Sequence, residues 1–295
     1  MTSLHVSIII VHYKVKQELF DCLASIIQSR PKVSYEIIVV DNDEIKTIGS
    51  DIQNKFPKVN YIKAPGNLGF GGGNNLGAKA AVSEFLFFLN PDTLLFPNTI
   101  DILIQFMRKD KKIAIAAPLL LDQTHNPYPL QGATTLTPLE GIFALSFINK
   151  YFPFNPISQK FNLQNWDKTT IKQVDTVPGT AFIIRRNIFE NMGGFDEQFF
   201  LYFEENDLCK RVKDQGYKIF MNPKATAMHA WGSSTKKSNR NITNIFKQSR
   251  FYYFQKHYGL FWAYAVQCVA DFGKEEFLFL LILALATFLF LYHLF

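Results

Sequence analysis

The chain has 295 residues, 48% hydrophobic and 19% charged, with a formal net charge of +6. That length supports one large or two small domains whose core needs no disulfide staples. The hydrophobic fraction excludes an intrinsically disordered chain, and 16 Gly with 13 Pro exclude collagen-like or linker composition.

In chain order, the opening MTSLHVSIIIVHYK has too short an apolar run, and no small-residue cleavage site, for a secretory signal. Residues 6–11 and 37–40 are apolar, β-branched runs, as expected of strands buried on both faces. Between them, residues 17–28 carry Leu19, Phe20, Leu23, Ile26 and Ile27 at helical spacing. Residues 85–89 read as a third strand and 97–108 as a helix that opens on Pro. Residues 122–175 are irregular and rich in Pro and aromatics, and are expected to form an excursion on the substrate side. Its Phe143, Phe147, Tyr151, Phe152 and Trp166 suit either stacking on a ligand or ordinary packing. Regular patterning resumes at 180–184, and 204–215 is a short helix ended by Gly216. Strands alternating with helices argue for an α/β sheet with right-handed crossovers.

The C-terminal residues 277–295 read FLFLLILALATFLFLYHLF. A helix of that length is roughly 28 Å long, close to a bilayer's hydrocarbon core. Lys and Arg recur between residues 236 and 274 and none follows. By the positive-inside tendency, the expectation is a protein on the cytoplasmic face of the membrane with a single C-terminal transmembrane helix; a buried or interface helix is the alternative. A mean hydropathy of +0.01 then divides into an ordinary domain and one very apolar tail. The basic stretch 236–256 contains no Asp or Glu. It suits anionic lipid headgroups or a phosphate-bearing substrate, and nucleic acid is not an expected partner. Cys22, Cys209 and Cys268 are too few and too widely spaced for a disulfide framework or a metal knuckle.

In an open α/β sheet, ligands bind at the carboxyl ends of strands. The polar clusters lie there: residues 37–40 run into Asp41-Asn42-Asp43, 85–89 into Asn90-Pro91-Asp92, and 225–228 into His229. A carboxylate such as Asp92 can hold a hard divalent cation whose other ligands are phosphate oxygens and water. His229 suits a second metal ligand or a donor to phosphate. The segment 67–77, NLGFGGGNNLG, either exposes backbone N–H groups to phosphate or turns tightly into a helix. It matches neither a Walker loop nor GxGxxG. In 193–211, GGFDEQFFLYFEENDLCKR, the acids Glu204, Glu205 and Asp207 occupy a first helical turn, where the macrodipole favours negative charge. Phe199, Phe200, Tyr202 and Phe203 crowd them, and apolar surroundings raise a carboxylate's pKa toward general-base range. Arg211 can pair with Asp207 at i+4, which leaves Glu205 the freer base.

The order of these motifs resembles a family 2 inverting glycosyltransferase of GT-A fold, in the rhamnosyltransferase-like branch, over residues 6–258. VSIIIVHY, IIVVDND, GNLGFGGGNNLG, LNPD, GGFDEQFFLYFEENDLCKR and the late His229 with Gly232 each resemble a motif of that branch. The fold so implied is a Rossmann-like mixed α/β sheet flanked by helices, followed by a C-terminal helical segment. The resemblance further implies that Asp41 accepts a hydrogen bond from a uracil or thymine ring N–H. Asn67, Gly69, Asn74 and Asn90 would line the donor. Asp92 and His229 would hold Mg²⁺ or Mn²⁺ on the pyrophosphate, and Gly179 and Glu204 would lie on the acceptor side. Glu205, where the family usually has Asp, would be the base, with Asp207 or Glu204 as alternatives.

The partners implied are a dTDP- or UDP-linked sugar, a glycan or lipid-linked acceptor, and a membrane. A nucleotidyltransferase of the same general fold and a non-catalytic sugar-binding module are the alternative functions. The expected organisation is a catalytic domain over 1–235, a basic and aromatic helical segment over 236–275, and a membrane helix over 276–295.

Overall fold

A computed structural model of the chain describes residues 5–229 and 240–272. It divides into two units, Met1–Thr135 with Asn162–Ser249, and Leu136–Phe161 with Arg250–Phe295. The elements run β1 (Val6–His12), α1 (Lys16–Gln28), β2 (Tyr35–Asp41), α2 (Gly49–Lys55), β3 (Asn60–Lys63), α3 (Gly69–Ala80), β4 (Phe85–Leu89) and β5 (Thr93–Leu95). They continue with α4 (Thr99–Arg108), β6 (Ile113–Leu121), α5 (Pro138–Ala144), α6 (Phe147–Tyr151), α7 (Pro156–Phe161), β7 (Lys172–Val174) and β8 (Ala181–Arg185). The last are α8 (Arg186–Asn191), α9 (Glu204–Asp214), β9 (Lys218–His229), α10 (Ile242–Tyr258) and α11 (Leu260–Asp271).

The larger unit holds a nine-stranded sheet among the described residues, in the order β3-β2-β1-β4-β8-β6-β9-β5 with β7 on β9. β3, β2, β1 and β4 are parallel, β8 is antiparallel to β4 and β6, and β9 is parallel to β6. The expected mixed α/β sheet flanked by helices is therefore present. Alternation along β1 builds both cores. Val6, Ile8 and Ile10 meet Leu19 and Leu23 of α1 and Leu103 of α4, whereas Ile9 and Val11 share a cluster with Phe88, Phe189 and Leu208.

The glycine-rich segment forms a helix, and its glycines serve close packing. A Cβ on Gly77 would stand 2.5 Å from Ile9 Cγ2, and one on Gly73 would stand 2.8 Å from Val11 Cγ1. α3 thus rests directly on β1 and β2. On its other side Asn75 Nδ2 donates to Phe195 O at 2.9 Å, and Phe195 N donates back to Asn75 Oδ1 at 2.9 Å.

The carboxyl ends of β1 and β2 are braced by a buried polar cluster. His12 Nδ1 lies 2.9 Å from Asp41 Oδ1, and the Tyr61 hydroxyl donates to Asp41 Oδ2 at 2.6 Å. Asp43 N donates to Oδ1 at 3.1 Å, and Lys63 Nζ stands 3.6 Å from Oδ2. Burial alone would push the Asp41 carboxyl up. The hydrogen bonds from His12, Tyr61 and the Asp43 amide outweigh it and hold the pKa down to about 2.

The smaller unit is helical. α5 opens with a capping box in which Glu140 accepts from Thr137 N at 3.1 Å and from its hydroxyl. Tyr253 and Tyr258 both donate to Leu136 O, at 3.1 and 3.0 Å, and Arg250 Nη2 pairs with Asp271 at 2.6 Å.

The expectation of a membrane-face protein with a C-terminal spanning helix is corrected here. Among the described residues no helix is long and apolar enough to cross a membrane. Residues 277–295, on which that expectation rested, lie outside the described residues.

Two outcomes test this packing. Gly77→Ala destabilises the fold by about 1–3 kcal/mol, read by urea unfolding, because the added methyl has no room against Ile9. Tyr61→Phe removes a hydrogen bond to a charged carboxylate and lowers stability by about 1.5–3 kcal/mol at neutral pH. Asp41 has a depressed folded-state pKa, so its stabilisation is complete above the unfolded value near 4 and is lost as pH falls toward about 2. The Tyr61→Phe deficit therefore shrinks across that window, and a deficit independent of pH would contradict the assignment.

Candidate functional site

A cavity of about 490 Å³ opens at the carboxyl ends of β1, β2 and β4, and all its lining residues belong to the larger unit. Sheet topology brings its walls together from distant parts of the sequence. Val11, Tyr13 and Asn42 come from the ends of β1 and β2, and Asn67, Gly69 and Phe70 from the start of α3. Asn90 and Asp92 follow β4, Gly179 and Thr180 precede β8, and His229 ends β9. Phe200, Leu201, Tyr202, Glu204 and Glu205 add a further wall, with Ile242 and Phe246 of α10.

Asp92 and His229 meet because β5 and β9 pair in the register Thr93↔His229. Both are buried, with His229 Nε2 3.1 Å from Asp92 Oδ1, and the Tyr128 hydroxyl donates to His229 O at 2.8 Å. One carboxylate and one imidazole suit Mg²⁺ or Mn²⁺, provided phosphate oxygens and water fill the other positions. Among the described residues no group of three or more His, Cys, Asp or Glu comes together as a self-sufficient metal site.

α9 brings the acids to the cavity by an unusual entry. Tyr202 and Phe203 both have left-handed backbone, with φ of 71° and 69°. For bulky residues such backbone costs about 1–3 kcal/mol each and persists only when surrounding contacts enforce it. Here Phe246 packs on both rings, at centroid distances of 5.5 and 5.2 Å, and Ser249 Oγ donates to Leu201 O at 2.9 Å. Glu204 and Glu205 then start α9 and line the cavity. Burial pushes the Glu205 carboxyl up to about 7 against the pull of its backbone hydrogen bonds. Burial first, and the Glu205 charge second, push Glu204 well above the usual carboxylate range.

The structure sorts the residues singled out from sequence. Asn67, Gly69, Asn90, Asp92, Gly179, Glu204, Glu205 and His229 line one cavity. Asn74, Asp41 and Asp207 do not. Asn74 Nδ2 donates to Phe70 O within α3 at 3.0 Å, and Asp41 is enclosed by His12 and Tyr61. Asp207 is buried against Arg211, 2.7 Å from Nη2, and Arg211 also donates to Met192 O and Gly194 O. That pair ties α9 to the turn before it.

The sequence places Asn42 in the polar cluster that follows residues 37–40 but assigns it no role. It is 2% exposed and lines the cavity; its Nδ2 donates to Gly69 O at 2.8 Å, and Oδ1 has no partner among the described residues. Strand alternation was the available signal, since Asp41 and Asn42 must face opposite sides of the sheet. Which side carried the cavity was not visible in the motif.

Comparison with known proteins fits this geometry. The description "Glycosyl transferase family 2" matches residues 7–193. The N-acetylglucosaminyl-diphospho-decaprenol L-rhamnosyltransferase of Mycobacterium tuberculosis is 25% identical over 210 residues, covering 68% of this chain and 67% of that protein. Rhamnosyltransferase WbbL of Escherichia coli is 25% identical over 205 residues, 66% of this chain and 72% of that one. The crystal structure of GalNAc-T7 with UDP, GalNAc and Mn²⁺ superposes with a TM-score of 0.58 at 18% identity. It covers 79% of this chain and 44% of its own, and the shared feature is the fold. A family match over more than half the chain, on a sheet of this topology, makes the protein a glycosyltransferase of family 2 with the GT-A fold.

Proposed function

We propose that the enzyme moves a sugar, rhamnose or similar, from a dTDP- or UDP-linked donor to a hydroxyl of a glycan or lipid-linked acceptor. The reading is carried by one observation: a carboxyl poised near pH 7, Glu205, shares a single cavity with the Asp92–His229 pair. The names of the mycobacterial and E. coli relatives, both rhamnosyltransferases, support the sugar class.

Asn42 offers a carbonyl oxygen to a ring N–H of the donor's base, and Asp41 braces the strand ends behind it. Asn67 and Gly69 border the donor at the start of α3. Asp92 and His229 would hold Mg²⁺ or Mn²⁺, which supplies Lewis-acid neutralisation of charge on the departing diphosphate. Glu205 takes the proton of the acceptor hydroxyl, whose oxygen attacks the anomeric carbon on the face opposite the diphosphate. A single displacement of this kind inverts the anomeric configuration.

Proton NMR of the product from a panel of dTDP- and UDP-sugars reads that configuration, and retention would sink the single displacement. Glu205→Gln lowers kcat by about 10²–10⁴-fold, the worth of a general base, while donor affinity stays within about twofold. Because the base must be ionised, kcat of the unaltered enzyme climbs with pH through an acid limb near 7 and levels above it. A flat profile from about pH 5 to 9 moves the base elsewhere. Asp92→Asn removes the Mn²⁺-dependent part of the thermal shift caused by the donor and leaves the metal-free part.

A further inference from the structure

Glu204 has no part in the displacement described above, yet the chain buries it in the same cavity. It is 4% exposed, and its Oε2 is enclosed without a hydrogen-bond partner among the described residues. The strained Tyr202–Phe203 turn, held by Phe246, delivers it there beside Glu205. No described residue lining the cavity is Lys or Arg. The cations of α9 are engaged elsewhere: Lys210 on Asp214 at 2.8 Å, Arg211 on Asp207, and Lys213 on Asp175 at 2.7 Å. The other titratable groups lining the cavity are Asp92, Glu205, His229 and the tyrosines Tyr13, Tyr128 and Tyr202. Two adjacent carboxylates in a cavity that no described Lys or Arg lines do not both stay ionised. Glu205 is the more exposed of the two and is the one left to ionise. A buried carboxyl that keeps its proton is a hydrogen-bond donor, and its bond needs an oxygen to receive it.

We propose that Glu204 acts as a neutral carboxylic acid that donates a hydrogen bond to an acceptor oxygen adjacent to the hydroxyl deprotonated by Glu205. The proton on Glu204 is not transferred; it orients the acceptor. The enzyme therefore selects acceptors that present two neighbouring oxygens, as a sugar diol does. This assignment rests on the proposed glycosyl transfer, with Glu205 as its base.

Infrared difference spectra of the full chain, without substrate and at about pH 8, read the proton directly, since Glu205 is largely ionised there. The carbonyl stretch of a protonated carboxyl is present in the unaltered protein and in Glu205→Gln, and absent in Glu204→Gln. If Glu204→Gln instead removes carboxylate bands, the proposal fails, whether or not a sugar substrate has been found. In transfer to an alkyl glycoside, Glu204→Gln keeps a donor N–H and loses only about two- to threefold of kcat/KM for the acceptor. Glu204→Ala loses roughly tenfold or more, mostly in KM. Equal collapse of both variants overturns the donor role. A test that needs no variant uses monodeoxy forms of the same glycoside. One of them, lacking the oxygen beside the attacked hydroxyl, suffers the Glu204→Ala loss with the unaltered enzyme, and equal rates for all deoxy forms overturn the proposal. If the unaltered enzyme transfers no sugar at all, glycosyl transfer is what fails, and the infrared result still reports the charge of Glu204.

Discussion

The site depends on how closely α3 can lie on the sheet. Gly73 and Gly77 bring the helix within a methyl's reach of Val11 and Ile9, where any side chain would meet a branched aliphatic. Seated at that depth, α3 presents Asn75 to Phe195 and Phe70 N to Phe200 O, at 2.9 Å, and so anchors the segment that leads into α9. Gly69, with φ of 74°, passes so near Phe200 that no side chain fits there. A bulkier α3 would lift the whole acidic segment off the sheet, and the carboxyls would leave the cavity.

The polar groups around this wedge divide by what surrounds them. Asp41 receives several donors and stays ionised far below neutrality, which suits a brace. Asp207 is neutralised by Arg211 and fastens α9 to the turn that precedes it. Glu204 and Glu205 receive no such partner from α9 and sit among aromatic side chains, so their protons are held more tightly. Asp41, Glu204 and Glu205 thus hold their protons differently through environment alone. The cavity's lining is acidic and, among the described residues, without Lys or Arg. It therefore suits a divalent cation between enzyme and diphosphate better than a bare anion.

The legible parts of the fold were those with a local physical signal. Continuous apolar runs marked β1, β2 and β4, and helical spacing of Leu19, Leu23 and Ile26 marked α1 to within a residue of its observed start. The first turn of α9 was readable from its acids. The strand near 225–228 proved to be the end of β9, a strand that begins at Lys218. β3 and β6 went unassigned although turn residues flank both: Pro65-Gly66 follow β3, and Asp110 and Asp122, which accept from Lys112 N and Thr124 N, bracket β6. Within residues 122–175 the short helices α5 to α7 and the strand β7 rely on tertiary packing. The glycine run could be read as a phosphate loop or a helix, because glycine permits both and only the neighbouring strand selects one.

By itself, the sequence determined the alternation of strand and helix, the placing of polar clusters at strand ends, and the presence of adjacent acids at a helix start. Those follow from periodicity and chain order, which are local. Tertiary structure alone decided which clusters meet. Asp92 reaches His229 only through the register of β5 on β9, across 137 positions of sequence. Asn42 faces the cavity, and Asp41 the brace, only because α3 covers one side of β2. The charge of each carboxyl was likewise undecided in the sequence. Ionisation depends on burial and on partners distant in the chain, and these exist only once the sheet has closed around them.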